Sequence, residues 1–123
     1  MSQIRTIMTA DDYGQALVQF AEQTARQLVK AGLTRSQMRT IFTEVRKIEA
    51  LWGTDPQGAR RRLELLKPKL AYQTERVKAM QGLKQVLTEA IDYIQGADSR
   101  AFERFVELME AILAYHRAQG GRS

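Results

Sequence analysis

The chain has 123 residues, 44% of them hydrophobic and 27% charged, with a net charge of +5. This is the composition of a globular chain long enough for one domain with its own core, and it excludes general disorder. The absence of cysteine excludes disulfides, thiolate metal sites and cysteine nucleophiles, and a lone histidine excludes a multi-histidine metal site.

No apolar run reaches the length needed to cross a bilayer, and the N-terminus has no signal-peptide core, so a cytoplasmic location is expected. Residues 1–8 read as a short lead-in with two apolar anchors, Ile4 and Ile7. Thr9 followed by Asp12 has the form of an N-cap with an acid at N3. Tyr13, Leu17, Phe20, Thr24, Leu28 and Ala31 then recur at helical spacing, which predicts a first helix over about 10–31, ended by Gly32.

The second helix has the clearest start. Thr34-x-x-Gln37 is a capping box, and Leu33 and Met38 occupy the positions of a hydrophobic staple. Met38, Ile41, Val45, Ile48 and Trp52 form its apolar stripe, while Arg35, Arg39 and Arg46 share a neighbouring polar face. Gly53-Thr-Asp-Pro56 is a break and a restart, with Asp55 as N-cap and Pro56 at the first helical position. A third helix buries Ala59, Leu63 and Leu66 and is expected to stop near Lys67, because Pro68 disfavours a helical residue before it.

A fourth helix is expected to begin between Leu70 and Thr74, with Val77, Met80, Leu83, Leu87, Ile91 and Ile94 as its stripe and Gly96 as its end. Asp98 caps a fifth helix that runs to about residue 118. Phe102, Phe105, Val106, Met109, Ile112, Leu113 and His116 share one of its faces, with Leu108 and Tyr115 on the flank. That stripe is wider than one bundle contact requires, so this helix is either central or touches another chain. No segment alternates with period two. The expected architecture is all-α: a single five-helix bundle over residues 9–119, followed by a flexible tail at 120–123.

Residues 60–84 carry eight Lys/Arg against two acids, Glu64 and Glu75, a local net of +6. The whole positive excess of the chain therefore lies in one fifth of its length. Such a field attracts polyanions, and phosphate chains are the commonest polyanion that a protein meets. Arg60, Arg62, Lys67, Lys69, Arg76 and Lys78 belong to this stretch, and Arg39 and Arg46 of the second helix are candidate extensions of the same track. Arg60-Arg61-Arg62 spread around a helix, so they do not all face one groove. Phe42 and Tyr72 have two readings, as core rings or as stacking platforms between the cations.

An enzyme has little support. Glu103 and Glu107 are helix neighbours, but a di-metal bundle wants a Glu-x-x-His pair on facing helices, and the residue three before His116 is Leu113. The plain reading of those acids is a solvated helix face. His116, on an apolar face, reads first as a buried histidine satisfied by a carbonyl; a phosphate or base contact stays open, and no partner marks it as a catalytic base. Neither a cofactor nor a metal is implied.

Three runs resemble a known family: Leu33-Thr-Arg-Ser-Gln-Met-Arg39, Leu65-Leu-Lys-Pro-Lys-Leu-Ala-Tyr72 with Arg76, and Phe105-Val-Glu-Leu-Met-Glu-Ala-Ile-Leu-Ala-Tyr-His116. The family is the small subunit of the type III-A CRISPR effector, the Csm complex, and the resemblance covers residues 33–121. The first helix matches only in length and character. The resemblance implies a non-catalytic, all-helical antiviral-defence protein that stacks in several copies inside a ribonucleoprotein. Its implied partners are the guide RNA, its paired target RNA, the backbone and large subunits, and further copies of itself. No membrane or small-molecule substrate is implied. Arg39, Lys67, Lys69 and Arg76 are carried over as RNA contacts, while Arg46, Arg60, Arg62 and Lys78 rest on the charge pattern alone.

Two other classes compete. A protein-only helical scaffold would use the basic stretch on acidic partner surfaces. A helix-turn-helix regulator would pair the second and third helices, but the long turn around Gly53–Pro56 and arginines spread over several helices speak against it.

Overall fold

The computed structural model describes residues 2–121 and is all-α, with no strand among the described residues. Its elements are α1 (Gln3–Thr9), α2 (Gln15–Lys30), α3 (Arg35–Trp52), α4 (Pro56–Arg76), a 3₁₀ turn (Lys78–Met80), α5 (Gln81–Asp92) and α6 (Ser99–Ala118). Six helices thus stand where the sequence pattern counts five. Residues 122 and 123 of the expected tail lie outside the described residues.

The sixth helix is the lead-in. Ile4, Ile7 and Met8 fall at i, i+3 and i+4, and all three are buried. The Ser2 hydroxyl accepts from the Ile4 N–H at 3.2 Å and donates to Glu89, tying α1 to α5. Thr9 consequently ends α1 rather than capping the next helix. The N-cap of α2 is Gly14, which has no side chain to offer, and Asp11 serves instead: its carboxylate accepts from Ala16 and Leu17 at 3.2 and 2.8 Å across the intervening loop. Tyr13 stands in that loop and is exposed, and Ala31 is exposed too, so neither belongs to the buried face.

α2 ends as expected at Gly32, which takes φ +90° while Gly32 and Leu33 donate back to Val29 and Leu28, each at 3.0 Å. The capping box of α3 is formed in both directions, at 3.1 and 2.9 Å, and the staple residues Leu33 and Met38 are buried. Its stripe is buried at every expected position, down to Trp52. There the Trp52 ring lies 4.1 Å from Phe102 and parallel to it, and its N–H donates to Ser99 at 3.0 Å. The end of α3 is thereby fixed to the start of α6.

α4 departs most from expectation. It starts where predicted, with Asp55 accepting from Gly58 at 3.0 Å, but it does not stop at Lys67. It continues through Pro68 to Arg76. Ala59, Leu63, Leu66, Leu70 and Thr74 form one unbroken buried stripe, while Pro68 lies on the exposed side. A proline inside a helix costs about 3 kcal/mol. Ending the helix at residue 67 would rotate Leu70 and Thr74 off the core face, and burial of one leucine contributes about 1.5–3 kcal/mol. The stripe outweighs the proline. The true break lies at Val77, in extended conformation (φ −127°, ψ 93°), so the next helix begins later than its periodicity suggested.

α6 is central. It packs most extensively on α2 and also touches α1, α3 and α5. Leu108, expected on the flank, is completely buried, while Leu113 and Tyr115 are half-buried, so most of the wide apolar face is filled within the chain. At its C-terminal end the Gly121 N–H donates to the His116 carbonyl at 2.9 Å. A Cβ on Gly121 would stand 2.2 Å from the His116 ring.

Two stability measurements follow. Pro68→Ala restores a helical donor on an exposed site and is expected to raise the unfolding free energy by about 2 kcal/mol, whereas Leu70→Ala lowers it by about 2–5 kcal/mol. Urea unfolding followed by far-ultraviolet circular dichroism reads both. Gly121→Ala drives a methyl group into the His116 ring and is expected to lower the urea midpoint, while Gly53→Ala, whose Cβ meets only the Ala50 carbonyl at 3.8 Å, leaves it in place.

Candidate nucleic-acid interface

Continuation of α4 through Pro68 decides where the basic residues point. Residues two apart on a helix are separated by about 200°, so Arg60 and Arg62 face opposite ways. The eight cations expected to form one track are accordingly divided among several faces, and because α4 continues through Pro68, Lys69 and Arg76 keep the register of Arg62 rather than starting a new helix.

One group is turned toward α5 and held tightly. Arg60 donates to the Ile94 carbonyl at 3.0 Å and to Glu64 at 2.9 Å. Lys67 lies one heptad further on and is bonded to Glu64, at 2.6 Å, and to Asp92. Desolvation works against the Lys67 ammonium, but its bonds to Asp92 and Glu64 outweigh this and raise its pKa above the ordinary lysine value. Glu64 moves below the usual carboxylate range, through its hydrogen bond to Lys67 first and to Arg60 second. Arg46 is a third bound cation, on the seam between α3 and α6. It pairs with Glu49 at 2.6 Å and Glu110 at 2.7 Å, which raise its pKa in that order, and its guanidinium lies 4.6 Å over the Phe42 ring. That half-buried ring already carries a cation on its face.

A second group faces the seam between α3 and α4. Arg62, Lys69 and Arg76 stand seven residues apart, a spacing that drifts only about 20° per heptad and spans about 21 Å of helix. Glu44 of α3 lies among Arg62, Lys69 and Lys47 at 3.8, 3.9 and 3.9 Å. These separations are too long for hydrogen bonds, so one carboxylate is loosely shared by three cations. Arg76 makes no ion pair among the described residues, and neither does Arg39, which is exposed on α3. Lys78, beyond the α4 break, is well exposed and only loosely near Glu75 at 3.6 Å. Lys47 was missed in the sequence reading. Its place three residues after Glu44 was the available signal, but only the fold sets Arg62 and Lys69 on the other side of that acid.

The rings and the histidine divide as well. Tyr72 is 65% exposed, so its core reading is withdrawn, and it stands on α4 with Leu65, 48% exposed. His116 is 1% exposed with Nε2 2.7 Å from the Leu33 carbonyl. A carbonyl only accepts, so that ring nitrogen donates, and the buried imidazole is closed to phosphate. Glu103 and Glu107 are exposed beside a cleft that also holds Arg100 and Arg104. Arg104 donates from there to the Ile7 and Asp11 carbonyls at 3.1 and 3.0 Å. Among the described residues no three His, Asp or Glu come together as metal ligands, and no helix is long and apolar enough to cross a membrane.

Neither a search of curated proteins nor one of solved structures returns a match to this chain. A family model, Csm2 Type III-A, matches residues 11–122. The match takes in α2, where the recognisable motifs were absent, as well as the helices that carry the Lys-Pro-Lys and Tyr-His runs. The chain belongs to the Csm2 family, and so is a small subunit of the type III-A CRISPR effector, the Csm complex.

Proposed function

We propose that this subunit lines the guide RNA–target RNA path of its complex without catalysing a reaction, gripping the sugar–phosphate backbone along the α3–α4 seam. The observation that carries this reading is the heptad row Arg62, Lys69 and Arg76 on one rigid helix, loosely countered by the single carboxylate Glu44. Lys47 extends the row on α3, whereas Arg39 stands on the side of α3 that carries Arg46, about 140° around the helix from Glu44, and Lys78 stands beside Glu75, so neither continues the row. Base pairing already reads sequence in an RNA-guided complex, so a flanking subunit needs only to meet duplex shape and charge. Cations held at 3.8–3.9 Å from a shared acid exchange it for phosphate oxygens at little cost. Arg46, Arg60 and Lys67 would first have to give up close hydrogen bonds, and their contribution is correspondingly small.

The same reading takes the backbone and large subunits and further copies of this chain as neighbours in a cytoplasmic ribonucleoprotein. On α6 only the half-buried Leu113 and Tyr115 offer them apolar surface. Among the described residues the exposed large apolar side chains are Tyr13, Val18, Leu65 and Tyr72, and these are the candidate neighbour contacts. Stacking of copies would add avidity to the weak, salt-dependent grip of each one. Leu65 and Tyr72, beside the cations, also favour a second reading: a protein-only scaffold whose basic ridge meets an acidic partner.

Retention of target RNA by the assembled complex, followed across a salt series, tests the reading. The double variant Lys69→Glu, Arg76→Glu is expected to weaken retention at least tenfold and to flatten the salt dependence by about one unit of slope per lost phosphate contact. Lys67→Gln is expected to stay within about twofold of the parent. Unchanged retention in the double variant overturns the backbone grip. Assembly of the same complex with RNA omitted, at unaltered salt resistance, would favour the scaffold.

A further inference from the structure

A cavity of about 290 Å³ lies where α4 ends, between α3 and the 3₁₀ turn, lined by Gln37, Thr40, Gln73, Arg76, Val77 and Met80. We infer that it holds the base of one unpaired nucleotide, with Arg76 at its mouth on the adjoining phosphate. This inference rests on the reading of the subunit as an RNA binder and adds a contact that backbone charge alone does not supply.

The chemistry of the lining points to a base. Oε1 of Gln37 accepts the Thr34 N–H at 2.9 Å, which fixes the side chain and leaves its amide N–H groups to donate. The Thr40 hydroxyl donates to the Ser36 carbonyl at 3.0 Å, leaving its lone pairs to accept. Gln73 makes no side-chain hydrogen bond among the described residues, so both halves of its amide are available. The cavity therefore offers donors and acceptors side by side, the pattern found on the edge of a nucleobase. Val77 and Met80 add apolar surface and a thioether for the face of a ring.

Size and charge restrict the occupant further. The volume stands at the low end for ligand pockets and suits one ring rather than an extended chain. No carboxylate lines it, so an anion is not repelled. The row Arg62, Lys69 and Arg76 runs along α4 and ends at its mouth, so a backbone that follows the row delivers a nucleotide there. A paired base has its edge engaged and its faces stacked, so only an unpaired one can enter.

The complex assembled with this chain is loaded with target RNA carrying 4-thiouridine at single paired and unpaired positions, irradiated, and the crosslinked peptides are mapped. The expected result is a crosslink within residues 73–80 from an unpaired position. Gln73→Ala should lower its yield about fivefold, the equivalent of one hydrogen bond, with the salt slope of RNA retention unchanged because no cation is removed. Gln73→Glu, which places a carboxylate beside Arg76, should lower it further. Circular dichroism confirms that both variants fold. If retention and its salt slope follow Lys69 and Arg76 but no crosslink falls in 73–80, or Gln73→Ala leaves the yield intact, the base pocket is overturned and the backbone grip stands. If Gln73→Ala instead loosens a neighbouring subunit without affecting the crosslink, the occupant is a protein side chain and the inference fails. If no RNA is retained through these cations, the backbone reading falls and the pocket with it.

Discussion

The arrangement of the basic face depends on one buried stripe outweighing one proline. Ala59, Leu63, Leu66, Leu70 and Thr74 keep α4 helical for 21 residues, and Pro68 occurs where its ring faces solvent. A break at Lys67 would have turned the C-terminal half of the segment, taking Lys69 and Arg76 out of register with Arg62. Continuity makes these three side chains a straight row on a stiff support. The donor that Pro68 lacks costs stability in a region where the leucines supply enough of it.

Cations on the same helix then divide by how firmly they are already held. Arg60 and Lys67 face α5 and make close bonds that help fasten α4 to α5. Arg62, Lys69 and Arg76 face α3, where Glu44 is too far from Arg62 and Lys69 for a hydrogen bond and does not pair with Arg76. Charge count alone treats these groups as equivalent. Their availability to a phosphate differs, because breaking a close charge-assisted bond opposes binding and loosening an exposed pair at nearly 4 Å barely does.

The frame that carries this row is closed at the start of α3 by a different device. The turns ending α2 and α6 meet at His116, whose ring nitrogen donates to Leu33 while its own carbonyl accepts from Gly121. Leu33 is also the staple residue before α3, so one buried imidazole links the ends of two helices to the start of a third. The stacked Trp52 and Phe102 rings do the same for the other end of α3. With both ends fixed, α3 presents Glu44, Lys47 and the cavity-lining Gln37 and Thr40 at defined places beside α4.

Sequence alone determined the class of the fold, the Thr34 capping box, the Asp55-Pro56 restart, the Asp98 cap, the stripes of α3 and α6 and the family, because each rests on residues close together in the chain. It also located the positive excess. It misplaced the boundaries at Thr9, Lys67 and Leu70, since a local rule for proline or for a capping residue takes no account of what burial elsewhere contributes. Which cations are free, which are bound, and that Gln37 and Gln73 share a cavity were decided only by tertiary structure. Residues from different helices acquire a common environment only when the helices pack, and no spacing along one segment encodes the distance from Glu44 to Lys69.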